Sequence, residues 1–112
     1  MKFTSQEKGD VVIIVLEGRM LGGPDASLLS DTLRDFVNES KNRIVLNMVH
    51  VDWMNSSGLG ILIAGLTTVR NSGGDLKLIR LTKKVKELLR MTKLDRVFEI
   101  FENEDEAVGS FS

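Results

Sequence analysis

The chain contains no cysteine and no tyrosine, and only one histidine, one tryptophan and one proline in 112 residues. Without cysteine there is no disulfide, no thiolate nucleophile and no Cys-ligated metal. A single histidine, His50, excludes a two-histidine metal site within one chain. Any Ser-His-Asp arrangement would have to use it. His50 follows the apolar run Ile44-Val45-Leu46 near the end of an expected strand, where a structural or surface role is the plain reading. With Trp53 the only tryptophan, stacking platforms for single-stranded nucleic acid are thin. The usual equipment of an enzyme is missing, and neither a catalytic residue, a cofactor nor a metal is expected.

Long apolar runs are also lacking. Residues 11–16 form one of the longest, far short of the roughly 20 residues that span a bilayer. The start, Met1-Lys2-Phe3-Thr4-Ser5, has no long apolar stretch behind a basic residue, so no secretory signal is expected. Neither sign of charge dominates: fifteen basic and sixteen acidic residues leave a formal charge of −1. Such balance gives no general attraction to nucleic acid or anionic membrane. Direct nucleic-acid binding and membrane insertion are therefore not expected, and a cytoplasmic domain is the simplest reading. Apolar residues at 42% and charged residues at 28% match a globular chain, and the length suits one domain over residues 1–112.

Periodicity then divides the chain. Residues 3–7 make a weak first strand, with a turn at Gly9-Asp10. Residues 11–17 are rich in β-branched residues and carry no polar side chain before Glu17, as in a strand covered on both faces. Gly18 ends it. After the loop Leu21-Gly22-Gly23-Pro24-Asp25, Ala26, Leu29, Leu33, Phe36 and Val37 recur at helical spacing. Residues 43–48 form a second apolar strand. Leu59, Leu62, Ile63, Leu66 and Val69 then mark a helix, uncharged until Arg70 and so largely buried. Asn71-Ser72-Gly73-Gly74 stops it. A strand over residues 75–81, a helix over 83–90, a short strand over 97–101 and an acidic helix over 103–109 complete the chain, with Phe111 packing back. Such alternation predicts an α/β fold with a mostly parallel sheet. Lys83, Lys84, Lys86, Arg90, Lys93 and Arg96 read as the solvated side of their helix, and the acidic end as another solvated face.

The informative segment is the turn His50-Val51-Asp52-Trp53-Met54-Asn55-Ser56-Ser57-Gly58-Leu59-Gly60, which ends a buried strand and opens a buried helix. Ligand contacts concentrate at such carboxyl ends of strands. Exposed N–H groups at a helix start favour negative charge, so a phosphate is accommodated there. Asn55, Ser56 or Ser57 can supply the helix cap. Gly58 and Gly60 allow another backbone, or a partner side chain, to approach closely. Trp53 and Met54 read as core packing, with the border of a partner site as the alternative. Gly58-Leu59-Gly60 lacks the GxGxxG spacing, since position 63 is Ile, and no Walker lysine follows.

The string Met54-Asn55-Ser56-Ser57-Gly58-Leu59-Gly60-Ile61-Leu62 resembles the signature of STAS domains, specifically the bacterial anti-sigma factor antagonists. The likeness extends over nearly the whole chain, through Gly18, the strand into the signature, Gly73-Gly74 and the stretch around Val85 to Leu89. It implies a single STAS-type domain: a mixed, mostly parallel central sheet with β-α superhelical connections. It also implies a partner, an anti-sigma factor with serine kinase activity, whose binding releases a sigma factor and ends on phosphorylation. A PP2C-type phosphatase reverses the modification. Carried onto this chain, the phosphoacceptor is Ser56, with Ser57 the lesser candidate. The resemblance places partner contacts at Met54, Asn55, Ser56, Ser57, Gly58, Leu59 and Gly60, with Gly22 and Gly23 in the neighbouring loop. The sequence departs from the family in having Asn55 where Asp usually precedes the acceptor. It also has Arg19-Met20-Leu21-Gly22-Gly23-Pro24 where an acidic residue usually follows the second strand. These departures keep open a rival role as a non-phosphorylated STAS adaptor in a lipid-transport or other signalling assembly. A monomer is the default expectation.

Overall fold

In the computed structural model, which describes residues 1–111, the elements follow the predicted order. They are β1 (Lys2–Lys8), β2 (Val11–Glu17), α1 (Pro24–Asn38), β3 (Arg43–His50), α2 (Ser56–Asn71), β4 (Asp75–Ile79), α3 (Lys83–Met91), β5 (Ile100–Phe101) and α4 (Glu104–Gly109). The sheet has five strands in the order β1-β2-β3-β4-β5. Only β1 and β2 are antiparallel; every later pair is parallel. Successive crossovers of one hand along a sheet in sequence order place α1, α2 and α3 on a single face.

Two cores follow from the period of two along each strand. Val12, Ile14 and Leu16 of β2, with Ile44, Leu46 and Met48 of β3, meet Leu29 and Leu33 of α1 and Leu62, Leu66 and Val69 of α2. Each of these side chains contributes about 1.5–3 kcal/mol when fully buried. The alternate residues Val11, Ile13, Val45 and Ile79 face the other way and are covered by Ala107, Val108 and Phe111. The unbroken apolar run of β2 is thus explained: both of its faces are sealed. The same period puts Lys77 of β4 on the α4 face at 4% exposure. Its Nζ pairs with a Glu99 carboxylate at 2.8 Å, donates to Ser110 Oγ at 2.6 Å and lies 4.2 Å from the centre of the Phe111 ring. A charge so buried persists because it is matched on every side.

Several details correct the sequence reading. The last strand is Ile100–Phe101, not residues 97–101. The amides of Val97 and Phe98 both bond to the Leu94 carbonyl in a 3₁₀ turn over Leu94–Arg96, so they are unavailable to a ladder. Strand β4 stops at Ile79 because Arg80 takes φ +55°. Within α2 the inward residue is Ile61, while Ile63 is 39% exposed.

Candidate partner-binding site

The parallel pairing of β2 and β3 does not stop with the strands. Past their carboxyl ends the Gly18 amide donates to the His50 carbonyl at 3.1 Å, and the Met20 amide to the Trp53 carbonyl at 3.0 Å. The Asn55 amide returns to the Met20 carbonyl at 3.4 Å, and Met20 and Met54 form a parallel bridge. Two loops therefore run side by side into the starts of α1 and α2. Gly58 makes the close approach possible: a Cβ there would lie 2.1 Å from the Met20 carbonyl oxygen. Gly22, at φ +97°, is held to glycine twice over, since a Cβ would also meet Ser57 Cβ at 2.8 Å. Gly23 is the N-cap residue of α1 and is exposed.

Of the candidate caps for α2, the structure selects Asn55. Its Oδ1 accepts from the Gly58 amide at 2.9 Å, and its Nδ2 donates to the Leu21 carbonyl at 3.2 Å. One side chain thus caps the helix and ties down the neighbouring loop. A carboxylate could do only the first, because a second acceptor would face the Leu21 oxygen. This is the physical content of the Asn in place of Asp. We expect Asn55→Asp to leave α2 capped, with a melting temperature within about 2 °C of wild type. Amide hydrogen exchange at residues 21–23 should rise about tenfold as the loop is released. Asn55→Ala loses both bonds and should cost about 0.5–2 kcal/mol. Unchanged exchange in the Asp variant would remove the tie from the account.

With Asn55 occupied as cap, both serine hydroxyls are free. Ser56 and Ser57 are exposed, and neither Oγ makes a hydrogen bond among the described residues. Their backbone N–H groups also lack a protein partner there, as the first N–H groups of a helix do. The first turn of α2 holds no acidic residue. The hydroxyls consequently sit where an added anion is tolerated. Gly60 is exposed beside them, on a groove between α1 and α2 that also meets Ala26, Ser27, Ser30 and Ala64.

Not every candidate lies on that surface. Met54 is 0% exposed, Leu59 is 7% exposed and Gly58 is buried. Met54, Gly58 and Leu59 lie beneath the loop, away from its exposed surface. Conversely Trp53, read as core packing, is 46% exposed. Its backbone is committed to the seam, which turns its indole outward. His50 is exposed at the end of β3. Among the described residues no group of three or more His, Cys, Asp or Glu side chains is placed to hold a metal ion. No described helix is long and apolar enough to cross a membrane.

Comparison with known proteins agrees with this architecture. The STAS domain family matches residues 2–107. A Thermotoga maritima protein that carries the provisional name anti-sigma factor antagonist is 31% identical over 100 residues, covering 88% of each chain. A crystal structure of an anti-sigma factor antagonist from Thermotoga maritima, likewise provisionally named, superposes with a TM-score of 0.85 at 30% identity. It covers 96% of this chain and 92% of that one. The Bacillus cell fate determinant SpoIIAA in its phosphorylated form shares the fold, with a TM-score of 0.73 at 16% identity over 99% of this chain and 100% of that one. The continuous seam from strand ends to helix starts, and a match over nearly every residue, make this chain a member of the STAS domain family, among relatives named as anti-sigma factor antagonists.

Proposed function

We propose that this chain, as a single domain over residues 1–112, is an anti-sigma factor antagonist of the partner-switching kind. It binds an anti-sigma factor that is also a serine kinase, through the joined surface of Gly22, Gly23, Asn55, Ser56, Ser57 and Gly60. The kinase phosphorylates Ser56, binding ends, and a PP2C-type phosphatase restores it. The chain itself performs no catalysis and acts in the cytoplasm, where sigma factors meet their inhibitors. The observation that carries this reading is the Ser56 hydroxyl: exposed, unbonded and fixed at the start of α2 by the Asn55 cap. The relatives' names support the partner class, and the phosphorylated form of a protein with this fold supports the chemistry.

Ser57 is the competing acceptor, but Gly22 packs against its Cβ. A kinase active site therefore reaches Ser56 with less displacement of the neighbouring loop. Incubation with the cognate kinase and ATP, followed by mass spectrometry, should place phosphate on Ser56 before Ser57. Modification of Ser57 alone would reassign the acceptor. No modification of either, with a stable complex nonetheless formed, would favour the non-phosphorylated adaptor role.

A further inference from the structure

Among the large apolar side chains left at the surface, Trp53 and Met91 are 46% and 71% exposed. They line one groove together with Leu88 and with Lys83, Lys84 and Glu87 of α3. Nothing in the packing of the domain requires this. Val85 and Leu89 already bury the inner side of α3, and Leu88 reaches the core only in part. Tryptophan is enriched among residues that dominate binding energy, and methionine adapts its shape to varied apolar partners. An apolar recess with a charged rim is the form such contacts take.

The rim has a sign. Glu87 is neutralised by the Arg90 guanidinium one turn along, and this hydrogen bond holds its carboxyl below the usual range. Lys86 is paired with Glu102 at 3.1 Å. Lys83 and Lys84 have no ion pair among the described residues. The groove is thus flanked by free ammonium groups and by an anion already compensated. Along the chain it adjoins the phosphoacceptor proposed above. The Trp53 carbonyl is part of the seam that holds Met20, and Trp53 lies three positions before Ser56 in the chain.

We propose that this groove receives an acidic segment of the anti-sigma factor, which seats a large apolar side chain between Trp53 and Met91 and turns flanking carboxylates toward Lys83 and Lys84. The inference rests on the partner-switching reading and adds a second foothold to it. The start of α2 carries the switch, while the groove supplies apolar area and charge preference.

The probe is the purified anti-sigma factor kinase encoded in the same genome, titrated into this protein with calorimetry and with NMR of the Trp53 indole and the Met91 methyl. Trp53→Ala and Met91→Ala should each weaken binding about tenfold or more. The double variant Lys83→Glu/Lys84→Glu should weaken it as well, and most at low salt. Met91 is so exposed that its replacement leaves the fold intact, which protects the test if Trp53→Ala proves unstable. Unchanged affinity in Met91→Ala, or unmoved Trp53 and Met91 signals in a complex that Ser56 phosphorylation still dissolves, would overturn the groove and leave the switch standing. Tighter binding after the lysine reversals would overturn the acidic partner segment. If no complex forms and Ser56 is not modified, the groove and the switch fall together.

Discussion

Phosphorylation of Ser56 is expected to lower affinity for the anti-sigma factor about a thousandfold while moving the melting temperature by only about 2 °C. The two halves of this expectation have separate causes. The phosphoryl group adds about −1.5 to −2 charges and several acceptor oxygens, on a chain whose formal charge is −1. Its own domain tolerates this. Ser56 is exposed, the first turn of α2 carries no acidic side chain, and the Ser56 and Ser57 N–H groups have no protein partner among the described residues. A helix start stabilises a nearby anion by about 0.3–1 kcal/mol. A partner packed over a neutral hydroxyl has no such reserve. It must strip water from a dianion or oppose its own charges, at several kcal/mol unless a new pair forms. About 4 kcal/mol is a thousandfold. Calorimetry with enzymatically phosphorylated protein measures the effect, and binding within about threefold of the unmodified form would refute the switch. Ser56→Asp supplies one charge and a smaller group, so it should cost about tenfold, and Ser56→Ala should bind without being modified. The second phosphate pKa lies near 6. Lowering the pH to about 5.5 therefore returns part of the affinity by protonating the group, and raising it deepens the loss.

The features that place Ser56 differ in how plainly residues announce them. Strand β2 is legible because both of its faces are covered, so no polar residue interrupts residues 11–16. Helix α1 is legible because charge marks its outer side. Helix α2 is not marked in this way. It is nearly uncharged all round, so nothing in the string says that Ile61 turns in and Ile63 out. The cap was one of several residues of suitable chemistry, and what selects Asn55 is the Leu21 carbonyl, 34 positions earlier in the chain. The outward Trp53 has the same origin. Its backbone is claimed by Met20 across the seam, a partner that no local pattern names. Sequence periodicity thus reports which face of an element is apolar, while the contacts between loops belong to pairs far apart in the chain.

Gly58 and Gly60 show the same limit in its sharpest form, and they carry the second large prediction. Two positions apart in one helix, they look equivalent in the sequence, and both substitutions by alanine favour a helix by up to about 1 kcal/mol. The surroundings reverse the outcome at one of them. At Gly60 a Cβ meets nothing within 4 Å, so Gly60→Ala should raise stability by about 0.5–1 kcal/mol. At Gly58 a Cβ would stand 2.1 Å from the Met20 carbonyl oxygen and 3.0 Å from Met54 Cβ. The oxygen belongs to backbone, so relief means prising the seam apart. Overpacking of this kind costs about 1–3 kcal/mol. Weakening the bonds between Asn55, Met20 and Trp53 adds about 1 kcal/mol for each one lost. After the helix gain is subtracted, Gly58→Ala should lose about 2–4 kcal/mol, a fall of roughly 10–15 °C in melting temperature for a domain of this length. Stability and function should part company at Gly60. It is exposed on the surface proposed for the partner, so its alanine variant should be more stable than wild type and yet bind more weakly than wild type. A Gly58→Ala variant as stable as Gly60→Ala would show that the two loops are not clamped as the Met20 contact requires. The fixed presentation of Ser56 would then lose its mechanical basis.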